Sequence, residues 1–213
     1  MIVRTYAFIV IILINCYSFL VPNLNGSEKA KSILIIYNVG TPPWQKTQPI
    51  EIKNVDALTQ ATTKEINTEI IASDIQDQLI KNGFRVTLKK ANEIHEPTEY
   101  LNYDCLIFGA PNWFSNMAYP IKQLFDEHFI CIWDHRKGKL NDKVLAGFVA
   151  AMEVNTSGKQ CLQGIYGVLE QMSHQTVEGI VVNIYSGKAA LDKNVKQFCE
   201  RIIEKLKLIK SER

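Results

Sequence analysis

Apolar positions along the chain follow two rhythms. Residues 33–37, 105–108 and 144–151 are apolar on nearly consecutive positions, the pattern of strands covered on both faces in a parallel sheet. Residues 84–88 and 179–185 are weaker runs of strand length. Between them the period becomes helical. Ile71, Ile75 and Leu79 recur every fourth residue, widened by Ile70 and Ile80 and stopped by Gly83. Ile121, Leu124, Phe125 and Phe129 form a stripe behind Pro120, a first-turn residue. Leu162, Ile165, Leu169 and Met172 form another. The last helix, about 192–208, carries Val195, Phe198, Cys199, Ile202, Ile203 and Leu206, with Lys205, Lys207 and Lys210 at its dipole-negative end.

Residues 38–64, broken by Gly40, Pro42, Pro43 and Pro49, are too irregular for an element. Residues 91–101 read as a polar, partly helical crossover, and 129–143 as a long connection containing Trp133. That connection joins a helix end to a strand start, so Asp134 and His135 read as solvated rather than catalytic. Five strands alternating with helices predict one α/β domain over residues 32–210: a three-layer sandwich around a five-stranded parallel sheet with helices on both faces. At this size the commonest order is 2-1-3-4-5, with ligands beyond the carboxyl ends of the strands at the switch point.

One loop lies at that place. Gly109, Ala110 and Pro111 end the third run, and Asn112-Trp113-Phe114-Ser115-Asn116-Met117 follow before Pro120. Adjacent aromatics flanked by small polar residues suit a flat, conjugated ligand. The segment resembles the flavin loop of flavodoxin-like NADPH-dependent FMN reductases, closest to NAD(P)H:quinone oxidoreductases of the tryptophan-repressor-binding-protein type. Their pattern is a glycine, a proline two residues on, then Phe-Gly-Asn-Met, a basic residue and an aspartate. Here it is met by Gly109, Pro111, Phe114, Asn116, Met117, Lys122, Phe125 and Asp126. The likeness continues through Ile132, Trp133, Gly138, Leu140 and Lys143.

The resemblance implies a flavodoxin-like fold, FMN as cofactor, NAD(P)H and a quinone or similar small electron acceptor as partners, and assembly into homo-oligomers. It also implies that a tryptophan at the place of Trp133 approaches a neighbouring subunit's flavin. Pro111, Asn112, Trp113, Phe114, Ser115, Asn116 and Met117 would wrap the ring. Thr63, Asn67 and Thr68 would hold the phosphate, and Thr156, Ser157 and Gly158, just before the third helix, suit an anion or a ring carbonyl. Hydride transfer belongs to the flavin, so no catalytic acid or base is assigned.

Three departures stand out. Family members carry a Thr-Gly-Asn-Thr-type phosphate loop directly after the first strand. Here Asn67-Thr68 is in register for the end of that loop, but Ile66 holds the glycine position, Glu65 adds a negative charge, and residues 38–64 intervene. Ser115 replaces the glycine after Phe114, and the third loop keeps only Gly158.

Bulk properties narrow the partners. The 213 residues are 46% hydrophobic and 22% charged, ordinary for one domain, and a net charge of +2 gives neither a nucleic-acid surface nor the acidity of a charge-docked shuttle. Five cysteines without a C-x-x-C pair argue against zinc and iron–sulfur sites; Cys105, Cys161 and Cys199 read as core residues. Residues 1–26 read as a signal peptide or an N-terminal membrane anchor, with Arg4 before an apolar core, and place the domain outside the cytoplasm, with a cytoplasmic location as the alternative. Three functions follow: an FMN-dependent NAD(P)H:quinone-type oxidoreductase, a one-electron flavodoxin-type carrier, and an exported domain that has lost FMN and works by binding.

Overall fold

The computed structural model describes residues 30–39, 66–135 and 140–211. Residue contacts divide the chain into Met1–Ala30 and Lys31–Arg213, and the second unit carries the sheet. The leader, Thr63, Glu65 and most of the 38–64 segment lie outside the described residues.

The strands are β1 (Ser32–Tyr37), β2 (Arg85–Lys90), β3 (Cys105–Trp113), β4 (Asn116–Met117), β5 (Val144–Ala151) and β6 (Ile180–Asn183). Five pair in parallel in the order β2-β1-β3-β5-β6, while β4 folds back antiparallel onto the end of β3. The expected 2-1-3-4-5 sheet is therefore present, with a two-residue ribbon added at its switch point. The helices are α1 (Thr68–Lys81), α2 (Tyr119–Leu124), α3 (Ile130–His135), α4 (Lys159–Met172) and α5 (Lys188–Ser211).

Alternation within the strands builds two cores. Ile33, Ile35 and Tyr37 join Ile71, Ile75 and Leu79 of α1 and Phe198 and Ile202 of α5 on one face. Leu34, Ile36, Leu106 and Phe108 join Ile121, Leu124, Phe129, Ile165 and Leu169 on the other. Each such side chain contributes about 1.5–3 kcal/mol by leaving water.

Three elements differ from the sequence reading. β3 does not stop at Gly109 but runs to Trp113. Proline is tolerated because the Asn38 N–H donates to Gly109 O at 3.2 Å, which puts Gly109, and hence Pro111 two residues on, toward β1. β1 has ended by then, with Tyr37 level with Gly109, so the missing N–H of Pro111 breaks no ladder bond. The start of 129–143 is not a connection: a π-turn, Phe125–Phe129, joins α2 to α3 and carries the helix to His135. It keeps Phe125, Phe129 and Ile132 all facing the core, each about 2% exposed. α5 starts at Lys188, four residues before the predicted start.

Candidate functional site

The loops after β3, β5 and β6 and the entry to α1 share the carboxyl edge of the sheet, and hydrogen bonds tie them together. Asn112 Nδ2 donates to Ser157 Oγ at 3.0 Å, joining the β3 and β5 loops. Asn183 Nδ2 donates to Met152 O at 2.9 Å, joining β6 to β5. The Ile66 N–H donates to Ile184 O at 3.0 Å, fastening the entry to α1 onto the β6 loop.

The β3–β4 turn is the most exposed aromatic feature there. Trp113 pairs with Asn116 across a two-residue turn made by Phe114 and Ser115, with φ of 50° and 65°. Both are in the left-handed region that hairpins of this kind need and that glycine or asparagine normally supplies. For residues with a Cβ the conformation costs about 1–2 kcal/mol each. Phe114 is nevertheless 96% exposed, so no burial repays that strain within the described residues. Tyr119, Met152 and Tyr185, on the starts of α2, the β5 loop and the β6 loop, are also exposed. Together they make an aromatic and thioether rim around the edge.

The other ring-loop residues divide into two groups. Pro111 and Met117 are buried, and the Met117 methyl lies against Gly164 of α4. Asn116 Oδ1 accepts the neighbouring Met117 N–H at 2.8 Å, which steadies the ribbon. Asn112 Oδ1 is buried and has no hydrogen-bond partner among the described residues. It is a buried acceptor left without a partner in the β3 loop.

At both expected anion sites, groups of the chain itself take N–H donors among the described residues. At α1, Asn67 is the N-cap: its Oδ1 accepts the Ile70 N–H at 2.9 Å, and Thr68 is buried. Ile66, in the glycine position of the family pattern, is a core residue in the same cluster as Ile71. Residues N′ and N4 of the helix thus stand as in a hydrophobic staple, which explains the isoleucine. Glu69 in the first turn accepts a hydrogen bond from the Tyr37 hydroxyl at 2.8 Å, and Lys90 Nζ lies 3.9 Å from the same oxygen. Burial, and then this carboxylate, push the Tyr37 hydroxyl up to about 12.

At the third loop, a π-turn Val154–Gly158 precedes α4. The Glu153 carboxylate accepts the N–H groups of Asn155 (2.5 Å), Thr156 (3.0 Å to each oxygen) and Ser157 (2.7 Å), plus Ser157 Oγ at 3.2 Å. These bonds, the Ser157 and Thr156 N–H groups foremost, hold the Glu153 carboxyl below the usual carboxylate range. Gly158 is there for packing: a Cβ would come within 2.6 Å of Val181 Cγ1 and 2.7 Å of Glu153 O. Nothing in the residue pattern pointed to this clasp, since glutamate is not a favoured cap residue.

Residues of the more distant pattern have structural work. Lys122 pairs with Asp126 one turn on, and buried Lys143 donates to Tyr103 O at 2.7 Å and Leu101 O at 3.0 Å. Trp133 is more than half exposed on α3. Cys105, Cys161 and Cys199 are buried, and burial raises all three thiols out of reactive range. Among the described residues no cluster of metal-ligating side chains occurs, and no helix is long and apolar enough to cross a membrane.

The donor set can be compared with FMN, the group the fold family implies. The aromatic turn and the orphaned Asn112 acceptor fit a flavin ring. The described cradles do not fit a phosphate, because a carboxylate stands in or beside each.

No protein-family model and no curated protein matches the chain. Solved structures do. A flavodoxin of Streptococcus pneumoniae TIGR4 superimposes with a TM-score of 0.58 at 14% identity, over 82% of this chain and 99% of that one. Flavodoxin 1 from Bacillus cereus gives 0.58 at 15% identity, over 81% and 97%. A WrbA-like flavodoxin from Agrobacterium tumefaciens gives 0.55 at 13% identity, over 86% and 100%. At such identities the likeness establishes the fold, which is flavodoxin-like.

Proposed function

We propose that the carboxyl edge of the sheet binds a flavin ring and that the protein is a redox protein of the NAD(P)H:quinone oxidoreductase type. The carrying observation is the turn at Phe114, held at a left-handed φ with its ring 96% exposed at the switch point of the sheet. Strain without internal return is characteristic of a ligand site. The rim of Tyr119, Met152 and Tyr185 supplies further apolar surface, and Asn112 Oδ1 supplies an acceptor for the ring's imide N–H.

In this reading Trp113 and Phe114 border the ring, the backbone of residues 112–117 meets its polar edge, and the rim excludes water. The redox chemistry is the ring's own. The apolar leader supports export or attachment to a membrane, with the domain acting outside the cytoplasm. Assembly into homo-oligomers, implied by the likeness at Trp133, belongs to the same proposal.

A spectrum tests it. The chain from Ser27 onward, incubated with flavin and passed through gel filtration, should elute yellow and bleach on addition of NADPH or NADH. A yellow protein that only exchanges single electrons with a dye would identify a carrier instead. The second reading, an exported binding module that has lost its flavin, is favoured by core-packed Ile66 at the glycine position and by Glu153 taking the N–H groups of the third loop. A colourless protein that leaves flavin fluorescence unquenched would select it.

A further inference from the structure

Two stretches of the chain, Asn25-Gly26-Ser27 and Asn155-Thr156-Ser157, have the form asparagine, any residue but proline, serine. That is the acceptor sequence for an N-linked glycan in a secreted protein. The first lies outside the described residues, and the second lies on the β5 loop. Resting on the export reading just proposed, we infer that Asn155 is an N-glycan acceptor, modified while the chain crosses into a secretory compartment.

Exposure and bonding carry the site. Asn155 and Thr156 are both exposed. The Asn155 side chain makes no hydrogen bond among the described residues, and only its backbone N–H is used, donating to Glu153 Oε1 at 2.5 Å. The turn thus fixes the backbone and leaves the amide in water. Transfer joins Asn155 Nδ2 to C1 of an oligosaccharide carried on a lipid pyrophosphate. The C1–O bond of that donor breaks, the lipid pyrophosphate leaves with the electron pair, and Nδ2 gives up one proton. The added bulk sits in solvent, so the fold loses no contact of the Asn155 side chain.

The fold also sets when the reaction occurs. The transferase needs the hydroxyl two residues after the asparagine, and here Ser157 Oγ accepts from Asn112 Nδ2 at 3.0 Å and donates toward Glu153 Oε2 at 3.2 Å. The same carboxylate holds the N–H groups of Asn155, Thr156 and Ser157. The folded turn is closed, so the acceptor is open only in the unfolded chain during translocation. Once attached, the glycan stands between Met152 of the rim and Ser157, which bonds the ring loop. A hydrophilic branched chain there keeps macromolecules from this edge and leaves it to small molecules.

Expression of the full chain in cultured mammalian cells tests the site. Peptide N-glycosidase should shift its band, and the tryptic peptide Val144–Lys159 should then carry aspartate at position 155. Asn155→Gln should lose this signal, and Asn25→Gln should keep it. A second form, the chain from Ser27 onward behind an established cleavable leader, separates the site from the export reading. Modification of Asn155 in the second form alone would uphold the acceptor site and overturn export by the chain's own leader. A bare Asn155 in the second form, recovered folded from the medium, would overturn the inference. Purified folded chain given the transferase and lipid-linked oligosaccharide should stay unmodified, while the peptide of residues 144–159 should accept the glycan. Equal modification of the two would overturn the timing.

Discussion

Two groups of aromatic residues lie within a few residues of one another and are treated in opposite ways. Phe108, Phe125 and Phe129 meet Tyr100 in a buried cluster, with ring centroids 5.1 to 6.3 Å apart and mostly edge-to-face. Phe114, six residues beyond Phe108 on the same strand and turn, is almost fully exposed among the described residues and is held at φ 50°. The first group gains stability from every contact, including about 0.5–1.5 kcal/mol per ring pair beyond area. The second gives stability up. Identity of side chain is therefore no guide to role; the sign of its contribution to folding is.

The comparison can be broken most forcefully at Phe108. Phe108→Ala should lower stability by about 3–5 kcal/mol, seen as a lower urea midpoint at unchanged slope. A loss under 1 kcal/mol would mean the cluster is not the tight core it looks to be.

The next effect is one of pH. His128, on the π-turn, is buried beside the cluster with Nδ1 3.0 Å from the Tyr100 hydroxyl. Desolvation lowers its affinity for a proton below the ordinary value of 6.5, against the weaker upward pull of Glu127, Glu96 and Glu99. The unfolded chain therefore binds the proton more readily. The stability at stake is fully present above about 6.5, the unfolded value, and is lost as pH falls through the depressed folded value. Urea midpoints measured at descending pH should fall there, and the fall should shrink in His128→Asn. An unchanged slope in that variant would assign the acid sensitivity elsewhere.

The smallest effect has the opposite sign. Ser115→Gly, at φ 65°, should raise stability by about 1 kcal/mol, and Phe114→Gly by a similar amount. Phe114→Gly should also weaken ring binding, while Ser115→Gly should not. Were Phe114→Gly to destabilise the fold, the ring would have a structural partner and the contrast would fail.

Much of the fold was legible because it rests on strong local patterns. Residues 33–37 and 144–151 announce buried strands, and Ile71, Ile75 and Leu79 announce α1. The hairpin at the site was not legible, because Phe-Ser is a poor sequence for two left-handed residues and β4 is two residues long. The π-turn escaped because a 3.6-residue stripe cannot register one extra residue between Phe125 and Phe129. Of the site, the aromatic loop could be read from its residues. The Glu153 clasp could not, since it depends on how three backbone N–H groups happen to converge.

Gly109 and Phe148 stand level on adjacent strands, and a Cβ on Gly109 would lie 2.1 Å from Phe148 Cζ. The benzyl ring occupies the volume of the missing methyl, so the two positions form one steric unit. Gly109→Ala alone should be among the least tolerated changes in the sheet, and Phe148→Ala alone should open a cavity. Their combination should cost less than the sum, a favourable coupling readable in a double-mutant cycle. In a lineage of such sequences the two sites would covary: the strand leading to the Phe114 turn could acquire a side chain only after its neighbour had given one up.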